Sequence, residues 1–171
     1  MKENFNTERN QLKIYSETKN HYSKFKYRST KIFDGYSTCF RQWRADSHCK
    51  YLHGYSIEFK VIFVGSLDDR NWVCDFGCFK KNGIKDLLKN MFDHTTIVAK
   101  DDPKLLEFKD LYQKGIVDLR VFDDVGCEKF AEIVFRLLTQ KINEDPSNNG
   151  RFRIESVECI ENKKNSAIYG E

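Results

Sequence analysis

A chain of 171 residues, 40% apolar and 14% aromatic, has material for one folded core, and 32% charged residues give it a solvated surface. No apolar run approaches the ~20 residues that cross a bilayer, so a membrane-spanning helix is excluded. The six cysteines come with neither a CxxC pair nor a secretory leader, which argues against a zinc ribbon, a thioredoxin-type site or a secreted disulfide framework.

The expectation is a cytoplasmic protein with reduced thiols. The net charge of +3 is lopsided. Residues 1–31 set Lys2, Arg9, Lys13, Lys19, Lys24, Lys26, Arg28 and Lys31 against Glu3, Glu8 and Glu17 alone. This arm therefore carries more than the whole net charge. A basic arm could bind phosphates, nucleic acid or a neighbouring subunit. No RNA-binding signature accompanies it, so a nucleic-acid partner is not expected.

The pattern divides the chain into the basic arm, 1–31, and a folded domain, 32–171. Ile32 to Phe40 reads as a strand broken at Asp34-Gly35, the mark of a bulge or an early turn. A polar loop follows to Gly54. Tyr55, Ile57, Phe59, Val61 and Phe63 then alternate with Ser56, Glu58 and Lys60, which predicts a half-buried antiparallel strand. Trp72 to Phe76 reads as a second, short hairpin arm.

A helix is predicted from about Gly77 to Phe92, with Ile84, Leu87, Leu88 and Met91 forming its apolar stripe and Gly83 weakening it slightly. Asp102-Pro103 opens a second helix carrying Leu105, Leu106, Phe108 and Leu111 and ending at Gly115. Val117 to Val121 is a short strand. Glu128 to Ile142 is a third helix, with Phe130, Val134, Leu137 and Leu138 inward. After the loop 145–150, Arg151 to Glu161 is the last long strand. Its apolar phase shifts between Phe152/Ile154 and Val157/Cys159, which predicts a bulge near Glu155-Ser156. Early strands followed by segregated helices give an α+β class, with helices on one face of an antiparallel sheet.

Three groups of residues could do chemistry. Ser47 to Tyr55 packs Cys49, His48, His53 and Tyr55 onto the start of the best strand. Cys49 lies among His48, Lys50 and His53, the cationic setting that activates a thiol, although a buried inert cysteine also fits. Asp93-His94 could be an orienter with its acid/base, or a helix C-terminal cap. Glu161 is in phase with Val157 and Cys159 and so points inward. There it either pairs with the N–C–N edge of a guanine or pterin or frays at the strand end.

Cys49-x-x-Leu52-His53-Gly54, Trp72-Val73-Cys74-Asp75-Phe76, Asp93-His94, Gly126-Cys127-Glu128-Lys129-Phe130-Ala131 and Glu161…Tyr169-Gly170-Glu171 occur in that order. Together they resemble the 6-pyruvoyl-tetrahydropterin synthase / 6-carboxytetrahydropterin synthase family over residues 32–171. The resemblance implies a tunnelling fold (T-fold): a four-stranded antiparallel sheet of two hairpins with helices on one face. Such subunits close their sheets into a barrel, often a trimer stacked into a hexamer, with active sites between subunits.

The implied activity is that of a lyase acting on 7,8-dihydroneopterin triphosphate with triphosphate release, on a route to pterins or to 7-deazaguanine (queuosine) precursors. By the same resemblance Cys49 is the general base, Asp93 and His94 the acid/base pair, and Glu161 the anchor of the pterin ring. Glu128 opens the late helix. The implied cofactor is zinc on three histidines, one on the first strand and two in a His-Gly-His. Here His53-Gly54-Tyr55 keeps one of them. Arg44 or Trp43 falls nearest the first-strand position, and His48 or His21 could reach the site instead. Arg44 or Lys50 could stabilise a developing oxyanion where the metal set is incomplete. The departure allows a second outcome: a non-catalytic or altered-substrate T-fold oligomer that binds a pterin or purine.

Overall fold

The computed structural model describes residues 26–146 and 148–170, except for the side chains of Cys78 and Lys80. Most of the basic arm, including His21, lies outside them, as do Ser147 and Glu171.

Strand β1 (Tyr27–Phe40) begins ahead of the expected Ile32, so residues 27–31 belong to the sheet. Arg28, assigned to the arm, pairs with Glu155 through two 2.6 Å hydrogen bonds. The expected bulge at Asp34-Gly35 is present as a register shift between Phe33 and Tyr36, with Gly35 at φ +81°. The one extra residue changes the side-chain parity. Phe33 and Tyr36, an odd number apart, both turn inward.

Strand β2 (His53–Gly65) pairs antiparallel with β1. Its alternation is as predicted: Ile57, Phe59, Val61 and Phe63 are each fully buried. The loop after it departs from expectation, because Trp72–Phe76 forms no strand. Asp68 Oδ1 accepts the backbone N–H of Arg70 and of Trp72, both at 2.9 Å, and so curls the chain into a side-chain-capped turn.

The predicted helix over 77–92 is two pieces, α1 (Cys78–Lys81) and α2 (Ile84–Phe92). They are parted by Gly83, whose φ of +70° no helix accepts. Strand β3 (Thr95–Ala99) was not predicted. All its residues are buried, so it lacks the alternation that marks a strand.

Helix α3 (Leu105–Gln113), strand β4 (Leu119–Phe122) and helix α4 (Cys127–Asn143) follow near their expected places. The inward face of α4 includes Phe135 as well as Phe130, Val134 and Leu138, while Leu137 is only half-buried. Strand β5 (Phe152–Ile160) carries the predicted bulge, with Ile62 opposite Ser156 and Phe63 opposite Ile154. A further strand, β6 (Ser166–Gly170), closes a hairpin with it.

The sheet order is β4-β3-β1-β2-β5-β6. Strands β1, β2, β5 and β6 form the expected four-stranded antiparallel array of two hairpins. The expectation of a purely antiparallel four-stranded sheet is corrected by β3 and β4, which join β1 in parallel and make it six-stranded and mixed. Helix α4 lies against β5 and β6, and α2 against β1 and β3.

Between helices and sheet, aromatic rings do much of the filling. Phe92 meets Phe59 at 4.8 Å and Phe130 at 5.4 Å, and Phe63 stacks on Phe79 at 5.3 Å. Each such pair adds about 0.5–1.5 kcal/mol to the burial of its rings. Helix α3 contacts β3 and β4, and β3 is buried on both faces. The antiparallel strands instead carry exposed apolar residues on the face away from the core, Ile32 (46%) and Ile168 (67%). Among the described residues no helix is long and apolar enough to cross a membrane.

Candidate functional site

The β1–β2 register sets Phe40 opposite His53 and Thr38 opposite Tyr55. Phe40 is buried, and its ring stacks on Tyr55 at 4.0 Å and 12°. The His53 ring lies 4.6 Å from that of Tyr55. His53 Nδ1 is 2.7 Å from the Tyr51 carbonyl oxygen. A carbonyl only accepts, so Nδ1 carries the proton and Nε2 carries the lone pair. The Tyr55 phenol donates its proton to that lone pair. Burial pushes the Tyr55 phenol up to about 12, helped by the negative charge of Glu161. Tyr55 is therefore a neutral donor across the physiological range.

Cys49 is held from both sides. Its N–H donates to Ser47 Oγ (3.3 Å), and its carbonyl accepts from Gln42 N (2.8 Å). The loop is tied to the body by Arg41, which donates to the Lys50 carbonyl (3.3 Å) and clamps Asp102 at 2.8 and 2.5 Å. His48 is exposed, its ring 6.4 Å from that of His53.

Glu161 lies one residue past β5, where its N–H donates to Asn165 O (3.1 Å), and its charge bears on Tyr55. Glu128 sits in the first turn of α4, after Gly126 at φ +140°. A β-carbon on Gly126 would meet Gln42 Nε2 at 2.2 Å, so the glycine lets Gln42 pack close to the helix start. The Cys159 thiol is raised by its hydrogen bond with Cys127, then by burial and by the charges of Cys127, Glu128 and Glu161. Cys49, His53, Tyr55 and Glu161 thus lie toward the His53 end of β2, with Cys159 deeper, opposite Phe59, where it meets Cys127.

Asp93 and His94 lie elsewhere. Asp93 caps α2 and accepts from Ser37 N (3.3 Å) and His94 Nδ1 (2.8 Å). Burial opposes its ionisation, but these two donors hold its carboxyl below the usual range. His94 adopts φ +57°, donates its backbone N–H to Ser37 O (2.6 Å) and is 83% exposed. Thr38 has Thr95 on one side and Tyr55 on the other, so β1 stands between this pair and Tyr55. Two strand spacings amount to about 10 Å. Locally the pair is a helix C-terminal cap and a hydrogen-bonded carboxylate–imidazole.

Arg44 is exposed and is held by Asp101 and by the Trp43 ring, 4.3 Å away. The side chain that converges with His53 and Tyr55 is Phe40, in place of the expected Arg44 or Trp43. Phe40, Gln42, Cys127 and Cys159 are the neighbours that sequence reasoning missed as site residues. Only Cys127 stood in a motif that had been singled out.

The donor set does not fit a zinc ion. Among the described residues no three His, Cys, Asp or Glu side chains stand close enough to hold a metal. The one retained imidazole has its lone pair occupied by Tyr55, where a catalytic zinc wants three protein ligands.

Residues 30–171 match the family model described as 6-pyruvoyl tetrahydropterin synthase. No curated protein matches the chain in sequence. Among solved structures, an uncharacterised protein from Wolinella succinogenes is 21% identical, with a TM-score of 0.69 over 85% of this chain and 98% of that one. The 6-pyruvoyl tetrahydropterin synthase of Caenorhabditis elegans is 18% identical, with a TM-score of 0.57 over 85% and 95%. That of Plasmodium falciparum is 14% identical, with a TM-score of 0.58 over 85% and 99%. At these identities the structural likeness speaks for the fold.

Proposed function

This chain belongs to the 6-pyruvoyl tetrahydropterin synthase family, and on that premise we propose that it is a pterin-synthase-type lyase acting on 7,8-dihydroneopterin triphosphate. The observation that carries this reading is the gathering of Cys49, Tyr55 and Glu161 toward the His53 end of β2, where Ile160, next to Glu161, pairs with Glu58 and Cys49 precedes His53 by four residues. Glu161 brings a carboxylate into a partly buried site, where it can accept two N–H groups from the N–C–N edge of a pterin. That pairing fixes the ring and leaves its side chain toward Cys49 and Tyr55.

Cys49 then takes a proton from a side-chain carbon. The C–O bond to triphosphate breaks, and its electron pair leaves on triphosphate. Asp93 and His94 move the proton that the rearranging side chain must regain. The geometry of a single chain leaves them beyond β1 from Cys49. We therefore assign their partner site to a neighbouring subunit in a homo-oligomer, a trimer or hexamer. The exposed Ile32 and Ile168 on the antiparallel strands are consistent with such assembly. The products belong to a route to pterins or 7-deazaguanine bases.

One observation favours a second reading, a binder of pterin or purine without turnover: the retained imidazole is bonded to Tyr55. Incubation with 7,8-dihydroneopterin triphosphate separates the two. Release of triphosphate that Cys49→Ala abolishes supports the lyase. Tight ligand binding that Glu161→Gln removes, without release, supports the binder. Absence of both release and binding refutes both.

A further inference from the structure

We propose that Tyr55 stands in for a metal ion at His53: its phenol fills the Nε2 lone pair, closes the site to zinc, and offers its own oxygen to a hydroxyl on the ligand's side chain. The ligand half of this inference rests on the pterin reading above; the metal half does not.

Three observations carry it. First, both ring nitrogens of His53 are engaged, Nδ1 by the Tyr51 carbonyl and Nε2 by Tyr55. A metal would have to displace the phenol. Second, the position facing His53 across the β1–β2 ladder is Phe40, which is 3% exposed and offers no donor atom. Its ring lies flat on Tyr55 and fixes the phenol's direction. The three side chains thus form a closed unit, apolar on one side and hydrogen-bonded on the other.

Third, groups that a ligand would use lie close along the sheet. Glu161 follows Ile160, which pairs with Glu58 three residues along β2 from Tyr55, and Cys49 lies four residues before His53 with its carbonyl tied to Gln42. A phenol that gives its proton to an imidazole becomes a better acceptor at oxygen. A ligand hydroxyl donating to it would be held where a metal would otherwise bind that oxygen. The substitutions at 40 and 55 therefore act as a pair. Either alone removes a ligand from a three-donor set, and together they fill the space with a different interaction.

The test has two independent arms. In the metal arm, zinc affinity is measured by chelator competition, without substrate, for the parent and for Phe40→His/Tyr55→His. The double variant is expected to take up one zinc at least about 100-fold more tightly. A parent that holds one equivalent as tightly as the double variant overturns the proposal. Should the double variant fail to fold, long-range ¹H–¹⁵N spectra of the parent decide. The expected result is an Nδ1–H tautomer of His53 that one equivalent of zinc leaves unshifted; a zinc-induced shift at Nε2 overturns it.

In the ligand arm, Tyr55→Phe is titrated with neopterin, which carries side-chain hydroxyls, and with pterin, which has none. Loss of about 5–10-fold for neopterin alone, the value of one hydrogen bond, is expected. Equal effects on the two ligands refute the acceptor role. If neither ligand binds the parent, the pterin reading fails and so does the acceptor role, while the metal arm still decides whether Tyr55 shuts out zinc.

Discussion

Replacing Asp102 by Asn should loosen the reactive loop through a residue that touches no ligand. Asp102 is buried, its side chain 1% exposed. Its Oδ1 accepts from Arg41 Nη2 (2.5 Å) and Lys104 N (2.8 Å), and its Oδ2 from Arg41 Nε (2.8 Å). Burial alone would raise its carboxyl, but the Arg41 guanidinium and the Lys104 amide more than reverse this and hold it below the usual range.

Asparagine removes the charge and turns one acceptor into an N–H facing a guanidinium that only donates. Breaking a buried pair costs about 3–5 kcal/mol. Arg41 is 20% exposed and can rehydrate in part, which places the cost near the lower end. A loss of about 3 kcal/mol lowers Tm by about 6–12 °C in a domain of this size. Arg41 also donates to the Lys50 carbonyl, so the segment holding Cys49 loses its anchor. Thermal unfolding reads the first effect, and the alkylation rate of Cys49, mapped by peptide mass, reads the second. The carboxylate's contribution is present above its unfolded pKa near 4 and disappears as pH falls through the lower folded value. The parent and variant melting points should therefore converge in acid. A Tm change under about 2 °C, with Cys49 alkylation unchanged, would refute the clamp.

Glu161→Gln should weaken pterin binding by about tenfold or more, the value of a charge-assisted hydrogen bond, with Tm unchanged; calorimetric titration checks it. Gly126→Ala forces a side chain into φ +140° against Gln42 and should cost about 1–3 kcal/mol, read by urea unfolding. Tyr36, 7% exposed, has its phenol pushed up to about 12 by burial and then by the charges of Asp34 and Asp93. A raised folded pKa stabilises below the unfolded value and loses that effect as pH rises through the folded one. Stability should therefore fall by about 2–3 kcal/mol between pH ~10 and ~12, and Tyr36→Phe should flatten that decline.

The sequence was most legible where one face of an element is wet. The alternation of β2 and the phase shift that marks the bulge in β5 were both readable, because burial on one side imposes a period of two. Strand β3 was not, since Thr95–Ala99 is buried on both sides and has no period. Trp72–Phe76 misled because its hairpin-like residues follow a turn curled by the Asp68 carboxylate, a contact that no pattern of apolar residues reports. At the site, the family resemblance set Arg44 or Trp43 nearest the position of the first-strand ligand. The residue that faces His53, Phe40, appears only once the bulge at Asp34-Gly35 has set the β1–β2 register. Cys127 and Cys159 meet because α4 packs on β5, which is tertiary information.

The lyase reading is tested most directly by mixing the purified protein with 7,8-dihydroneopterin triphosphate under excess chelator and following inorganic triphosphate. The account predicts release that persists without metal and vanishes in Cys49→Ala. No release, with or without added zinc, contradicts it.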